Sequence, residues 1–82
     1  NPFNAETIIR YQLPAASAVR MTIYNLLGQE VRRLVDGNVK AGIHWMGWDG
    51  RDGAGKALAS GMYFCRLQVG NFVQTRNMLI LK

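Results

Sequence analysis

Apolar and polar residues alternate with a period of two along most of this chain. That period is typical of β-strands with one buried face, because successive side chains point to opposite sides of a strand. In residues 7–13, for example, Ile9, Tyr11 and Leu13 share one face, while Arg10 and Gln12 share the other. The pattern predicts further strands at residues 18–25, 29–35, 43–48, 61–69 and 72–81, with a brief one at 56–59.

The alternation also predicts which side chains of these strands face the core. The inward positions are Val19, Met21, Ile23, His44, Met46, Trp48, Tyr63, Cys65, Leu67 and Val69. The outward positions include Thr22, Tyr24, Trp45 and five arginines, namely Arg10, Arg20, Arg32, Arg66 and Arg76. Trp45 is expected to lie against Phe3. Because Arg32 and Arg33 are adjacent and break the alternation, strand 29–35 is expected to be short, bulged or at a sheet edge.

Turn-forming residues separate the predicted strands. Pro14 to Ser17 interrupts the first pair, Gly28 is expected in a left-handed conformation, and turns are predicted at 36–38 and 40–42. Gly70-Asn71 has glycine first, as in a type II′ hairpin turn. Turn signals every eight to twelve residues, with no helical period, predict an all-β fold, an immunoglobulin-like antiparallel β-sandwich of about seven short strands. We expect residues 1–82 to form one domain.

One glycine- and aspartate-rich stretch, residues 48–64, is expected to carry the chain from one sheet to the other, and we call it the corner. It begins at Trp48, and its turn formers include Asp49, Gly50, Asp52 and Gly53. Glycines tolerate positive φ, and aspartates can accept hydrogen bonds from backbone N–H groups a residue or two onward. The composition of the corner therefore predicts a structural element and not a catalytic centre.

Composition narrows the class of function. The chain carries a net charge of +5, but its basic residues are scattered and form neither a run nor a helical stripe, so nucleic-acid binding is not expected. Cys65 is the only cysteine and cannot form an internal disulfide. No segment has the layout of a signal peptide or a membrane span. The chain begins at Asn1 without a methionine, so we expect it to be part of a longer protein.

Few residues of the chain are suited to catalysis or to metal binding. His44 is the only histidine, and a set drawn from Ser60, His44 and Asp49 lacks any activating context, so we predict no enzyme. One histidine and one cysteine do not make a zinc site, and no cofactor is expected. Two alternatives stay open: a loose calcium site at Asp49 and Asp52, and sugar stacking on exposed aromatic residues. The candidates for stacking are Tyr24, Trp45, Phe64 and Phe72.

Several segments, in this order, resemble the type A C-terminal sorting domain of the type IX secretion system of Gram-negative bacteria. They are the sequences at residues 1–4, 7–13, 23–31, 48–52, 59–64 and 74–82. The sequence departs from the family pattern at Ala5, where a proline is usual, and at Asn77, where a lysine is common. The same segments are similar to the flagellar hook-capping immunoglobulin-like domain.

The sorting-domain resemblance implies a non-catalytic export signal for an upstream cargo. The expected partners are an outer-membrane translocon and a sortase-like peptidase, and the expected location is secreted or at the cell surface, by way of the periplasm. The residues it implies for partner recognition are Gly61, Tyr63, Arg76, Met78 and Lys82. It implies no small-molecule substrate, and the domain is expected to be monomeric. A structural or adhesion spacer and a carbohydrate-binding module are the alternatives.

Overall fold

The computed structural model describes residues 7–81, which form six β-strands and include no helix long and apolar enough to cross a membrane. The strands are β1 (Thr7–Leu13), β2 (Ser17–Tyr24), β3 (Glu30–Val39), β4 (Gly42–Trp48), β5 (Gly61–Val69) and β6 (Phe72–Ile80). β1 pairs with β4 in one sheet, and the other sheet has the order β3-β2-β5-β6, with every pairing antiparallel. The predicted all-β, immunoglobulin-like sandwich is confirmed, whereas the assignment of residues 1–82 to one domain stays a prediction.

The core lies between the two sheets and contains most of the side chains predicted to face inward. Its buried members are Ile9, Tyr11, Leu13, Val19, Met21, Ile23, Trp48, Tyr63, Cys65 and Met78. His44 and Met46 are half-buried, and the His44 ring stacks on Tyr11 with 5.3 Å between ring centroids. Trp45 is exposed as predicted, while its proposed contact with Phe3 lies outside the described residues.

The third strand differs from the prediction in length. β3 runs for ten residues and continues through 36–38, so the turn predicted there is wrong. The reason is pairing along its whole length with β2, in which Asp36 lies opposite Arg20 and Gly37 opposite Val19. An Arg20–Asp36 ion pair of 3.7 Å adds to that pairing. The predicted edge position and bulge are confirmed, since β3 ends the sheet and its register with β2 shifts twice.

Thr22 is buried although it was predicted to be exposed, and two arginines lie on the inner face of their sheet, where the outer face was predicted. Thr22 retains only 2% of its accessible surface. Its cross-strand neighbours are Arg33 and Arg66, and long arginine side chains can cover a small residue between them with their apolar stems. Arg32 is half-buried against the corner, and Arg76 lies opposite Cys65, on the inner side of its sheet. Thr22 keeps its outward position, whereas the β3 bulge places Arg32 opposite the buried Ile23, and the face of β6 places Arg76 opposite the buried Cys65.

The predicted turns are otherwise largely confirmed. Gly28 has a φ of +80°, and the Asn25 side chain closes this turn by accepting the N–H groups of Leu27 and Gln29 at 3.0 Å. Gly70 has a φ of +57°, whereas no non-glycine residue among 7–81 has a positive φ, so the β5–β6 turn fits type II′ and not type I′. The brief strand predicted at 56–59 is absent, apart from a single bridge between Arg51 and Ala57.

Candidate functional site

The corner connects β4 of the small sheet with β5 of the large sheet, as predicted. Its two aspartates close local turns. Asp49 Oδ1 accepts the Arg51 N–H at 3.1 Å, and Asp52 Oδ1 accepts those of Ala54 and Lys56 at 3.0 and 2.9 Å. These are charge-assisted hydrogen bonds to backbone groups that would otherwise depend on water. Both carboxylates therefore stabilise the loop itself.

Glycine allows this loop to turn sharply. Gly50 is buried with a φ of +76°, and its carbonyl accepts the Leu58 N–H at 3.0 Å. Gly53 does not have a positive φ, and its N–H donates to the carbonyl of Val31 on β3 at 3.0 Å. Gly55 has a φ of +88°. The glycine-rich composition therefore serves the backbone path, together with one hydrogen bond that joins the loop to β3.

Two long side chains attach the corner to the rest of the molecule. The fully buried Trp48 donates its indole N–H to the Arg51 carbonyl at 3.0 Å. Arg32 of β3 donates to the same carbonyl at 3.0 Å and to Asp49 Oδ1 at 3.3 Å. One carbonyl in the middle of the loop thus receives donors from both sheets. The corner is built as a joint between the sheets.

Tyr63 extends the same joint into β5. Its ring meets Trp48 edge to face, with centroids 5.9 Å apart, and its hydroxyl donates to the Ala59 carbonyl at 2.8 Å. Gly61, with a φ of +147°, begins β5 two residues earlier. Both residues were predicted to contact a partner. The structure places the Tyr63 side chain in the core, so its visible contacts are structural, and its role in recognition stays a prediction.

The described residues offer little for catalysis or metal binding. The His44 Nε2 atom lies 2.7 Å from the Lys40 carbonyl, and Asp49 is occupied by its own loop. Within residues 7–81, no group of three or more His, Cys, Asp and Glu side chains lies close enough to hold a metal ion. Cys65 is buried in the core, and that burial raises the pKa of its thiol, while the nearby positive charge of Arg76 opposes the rise. A thiol with a raised pKa packs as a small apolar group at neutral pH.

The final hairpin, β5–β6, carries the remaining predicted recognition residues. Met78 is buried and pairs with Tyr63, whereas Arg76 lies two residues earlier on the same face of β6 and is exposed. Lys82 lies outside the described residues. β6 pairs only with β5, so its other edge has free backbone groups among the described residues. The hairpin therefore presents an open sheet edge next to a row of exposed side chains.

The sequence did not reveal a cleft of about 670 Å³ between β1 and this hairpin, which we call the β1–β6 cleft. Its walls are β1 on one side and residues of β5 and β6 on the other, including Leu67, Val69, Phe72 and Arg76. A signal for it is present in the sequence. Gln74 and Arg76 occupy positions of β6 that face inward, where a closed sandwich would place apolar residues.

Of the aromatic side chains considered for sugar stacking, Trp45 is the most open, with 66% of its surface exposed. The guanidinium of Arg10 lies over its ring, 5.8 Å from the centroid, which occupies one face. Phe72 is also exposed but lines the β1–β6 cleft. Carbohydrate binding stays a prediction.

Comparison with known proteins supports one of the two resemblances. Residues 3–71 match the model of the FlgD Ig-like domain. Among solved structures, FlgD from P. aeruginosa resembles the chain with a TM-score of 0.70 and 26% sequence identity, over 92% of this chain and 59% of that one. The chain thus spans about three-fifths of that relative. No curated protein matches. Neither match concerns secretion, so the relation to sorting domains stays a prediction.

Proposed function

The chain belongs to the FlgD Ig-like domain family, and from that premise we propose that it is a non-catalytic recognition domain, which a protein partner holds by the final hairpin. The observation that carries this proposal is that β6 is an exposed edge strand. It is the last strand of its sheet, and residues 72–77 are all exposed, on both faces. Exposed strand edges are suited to pairing with another chain, because their backbone donors and acceptors are unpaired.

The specific role that we propose is an export signal of the type IX class. In this role the domain directs an upstream cargo from the periplasm across the outer membrane, to the cell surface or the medium. The partners are the translocon and a sortase-like peptidase, and the domain is their substrate. The support is the set of sorting-domain segments in the sequence, together with the exposure of Leu79 and Leu81 next to the open edge of β6.

The experiment fuses residues 1–82 to the C-terminus of a periplasmic reporter in a host with this secretion machinery. Deleting 78–82 is expected to leave the reporter in the periplasm. Because that deletion also removes the buried Met78, the decisive variant is Leu79→Ser with Leu81→Ser, which changes only exposed positions. We expect export to fall while the circular dichroism spectrum is unchanged.

A matched control is available at the other end of the molecule. Leu26 and Leu27, at the tip of the β2–β3 turn, are 66% and 82% exposed. Changing both to serine removes somewhat more exposed apolar surface than the hairpin variant, in which the two leucines are 56% and 72% exposed, and export is expected to continue. Equal loss of export in the two double variants would contradict recognition through the hairpin, and full export of both would do so as well.

The second candidate is a structural Ig-like module within a larger assembly, which the match to FlgD favours. The two functions differ in their dependence on position. A sorting signal is expected to work only at the C-terminus of the cargo, whereas a structural module keeps its role when followed by another domain. Adding a second reporter after Lys82 therefore separates them.

A further inference from the structure

The two sheets of the sandwich are unequal, and part of the larger one is uncovered. Two strands face four, and at the β5–β6 side the inner face of the large sheet is not closed. Phe72, which pairs with Val69, is 59% exposed, and Gln74 and Arg76 on the same face are also exposed. Towards the other end of β6, Met78 on this face is buried. The opening therefore lies beside β1 and forms the β1–β6 cleft.

β1 has a free edge on this side. Within the described residues it pairs only with β4, so half of its backbone hydrogen-bonding groups lack a strand partner. A third strand added to this edge would extend the small sheet over the exposed inner face of β6. β1 has seven residues, so an extended segment of about the same length, roughly 23 Å, would match it.

The charges of the cleft indicate the chemistry of its occupant. The lining contains Arg10 and Arg76 but no aspartate or glutamate. Within residues 7–81, neither of these two arginines has a carboxylate at ion-pair distance, whereas Arg20, Arg32 and Arg33 are each paired. The Arg10 guanidinium lies over the Trp45 ring, which leaves Arg76 as the cleft cation without a partner of either kind within residues 7–81. The rest of the lining is largely apolar, including Leu67, Val69 and Phe72. An occupant that complements this lining has apolar side chains at alternate positions and a carboxylate opposite Arg76.

A second copy of this chain does not meet that need. Its strand acids are Glu30 and Asp36, both already paired with Arg33 of the same chain. Two copies would also each carry a net charge of +5. Like charges at an interface disfavour association.

We propose that the β1–β6 cleft binds an extended segment of a partner protein, as an added strand on β1, with apolar side chains alternating inward and one inward carboxylate on Arg76. This is strand addition combined with a side-chain pocket. The site goes beyond the proposed export role, because it uses the edge of β1 and the inner face of β6, and it applies equally if the domain is a structural module.

The test uses synthetic peptides and the 82-residue chain. The parent probe is Thr-Val-Thr-Val-Thr-Val-Thr with a neutral fluorophore, and each valine is replaced in turn by glutamate or by its neutral isostere, glutamine. Fluorescence anisotropy gives the dissociation constants. At one position the glutamate peptide is expected to bind about 1.5- to fivefold tighter than the glutamine peptide, the range for a partly exposed charge pair, and added salt should reduce the difference.

Two matched variants assign that difference to one side chain. Arg76→Gln is expected to abolish the preference for glutamate, whereas Arg66→Gln, on the opposite face of the neighbouring strand, should keep it. Amide hydrogen exchange should show new protection in β1 when the peptide is bound, and none in β3. Alternate N-methylation of the peptide should abolish binding in one of its two phases and spare it in the other, because only every second N–H group faces β1.

Several outcomes would contradict strand addition to β1. Absence of peptide binding, equal affinity of glutamate and glutamine peptides, or protection confined to the free edge of β6 would each overturn the proposal. Dimerisation of the chain with protection of β1 and no peptide present would assign the cleft to a second copy instead. Leu79 lines the cleft, whereas Leu81 does not. The single variant Leu81→Ser should therefore bind peptide normally while its export falls, so failure of the export role and failure of this site are separable.

Discussion

Tyr63→Phe tests whether the corner depends on the side chains that link it to β5. The substitution keeps the aromatic ring and its edge-to-face contact with Trp48, and it removes only the hydroxyl that donates to the Ala59 carbonyl at 2.8 Å. The result therefore reports on one hydrogen bond. It also separates a structural role of Tyr63 from its predicted role in recognition.

The expected loss of stability is about 1 kcal/mol. A buried neutral hydrogen bond contributes roughly 0.5–1.5 kcal/mol net, and the larger penalty for an unpaired acceptor does not apply if water replaces the lost donor. Ala59 is exposed, so water can reach its carbonyl. For a domain of this size, about 1 kcal/mol corresponds to a decrease in Tm of roughly 4–8 °C. It is also a sizeable share of a total stability of about 4–12 kcal/mol.

The assay is urea unfolding followed by tryptophan fluorescence, since Trp48 is buried and moves into water on unfolding. The matched control is Tyr24→Phe, because the Tyr24 hydroxyl makes no hydrogen bond within residues 7–81, and its removal should change the midpoint little. If the Tyr63 variant unfolds at the same urea concentration as the parent, the hydroxyl does not stabilise the corner. An equal decrease of the urea midpoint in both variants would show that the loss does not come from the hydrogen bond between Tyr63 and Ala59.

Three further changes test the turns and the core. Asp52→Ala removes the acceptor of two backbone N–H groups and should cost about 1–2 kcal/mol in urea unfolding; a neutral result would show that water replaces it. Gly28→Ala, at a φ of +80° with open space around it, should cost about 1–2 kcal/mol of stability. Gly53→Ala, at a position without positive φ, should cost little. Equal costs would show that positive φ is not the cause. Burial raises the pKa of Cys65, so the native thiol keeps its proton at a pH where the unfolded chain has lost it, and stability should fall as pH rises above about 9. Cys65→Ala should show less of that fall, and an identical pH profile would refute the assignment.

The sandwich was predictable because its core obeys the period of two over long runs. In β1 and β5 the buried side chains Ile9, Tyr11, Tyr63 and Cys65 all fall where alternation placed them. The hairpin turn at Gly70 was predictable for a different reason, since glycine at that position has a local conformational advantage. Both signals depend on residues close together in the chain. Local information is therefore sufficient for strands and tight turns.

Contacts between distant segments were not predictable in this way. The corner was correctly identified from its composition, but nothing local indicates that Arg32, 17 residues before Asp49, would hold it. Likewise, 36–38 has the composition of a turn, and only the pairing with β2 keeps it in β3. In both cases a contact made across the fold overrides the preference of the segment itself.

The position of Arg76 connects the main error of the sequence prediction with the least expected feature of the fold. Alternation divides the residues of a strand into two faces, but it does not say which face is buried. A charged residue is normally assigned to the solvent face. In β6 that assignment fails, because Arg76 lies opposite the buried Cys65 and lines the β1–β6 cleft. A charged residue without a partner is tolerated at an inward position only where the opposing sheet does not cover it. The short small sheet therefore explains both the arginine and the cleft, and the peptide experiment asks whether the same gap has a ligand.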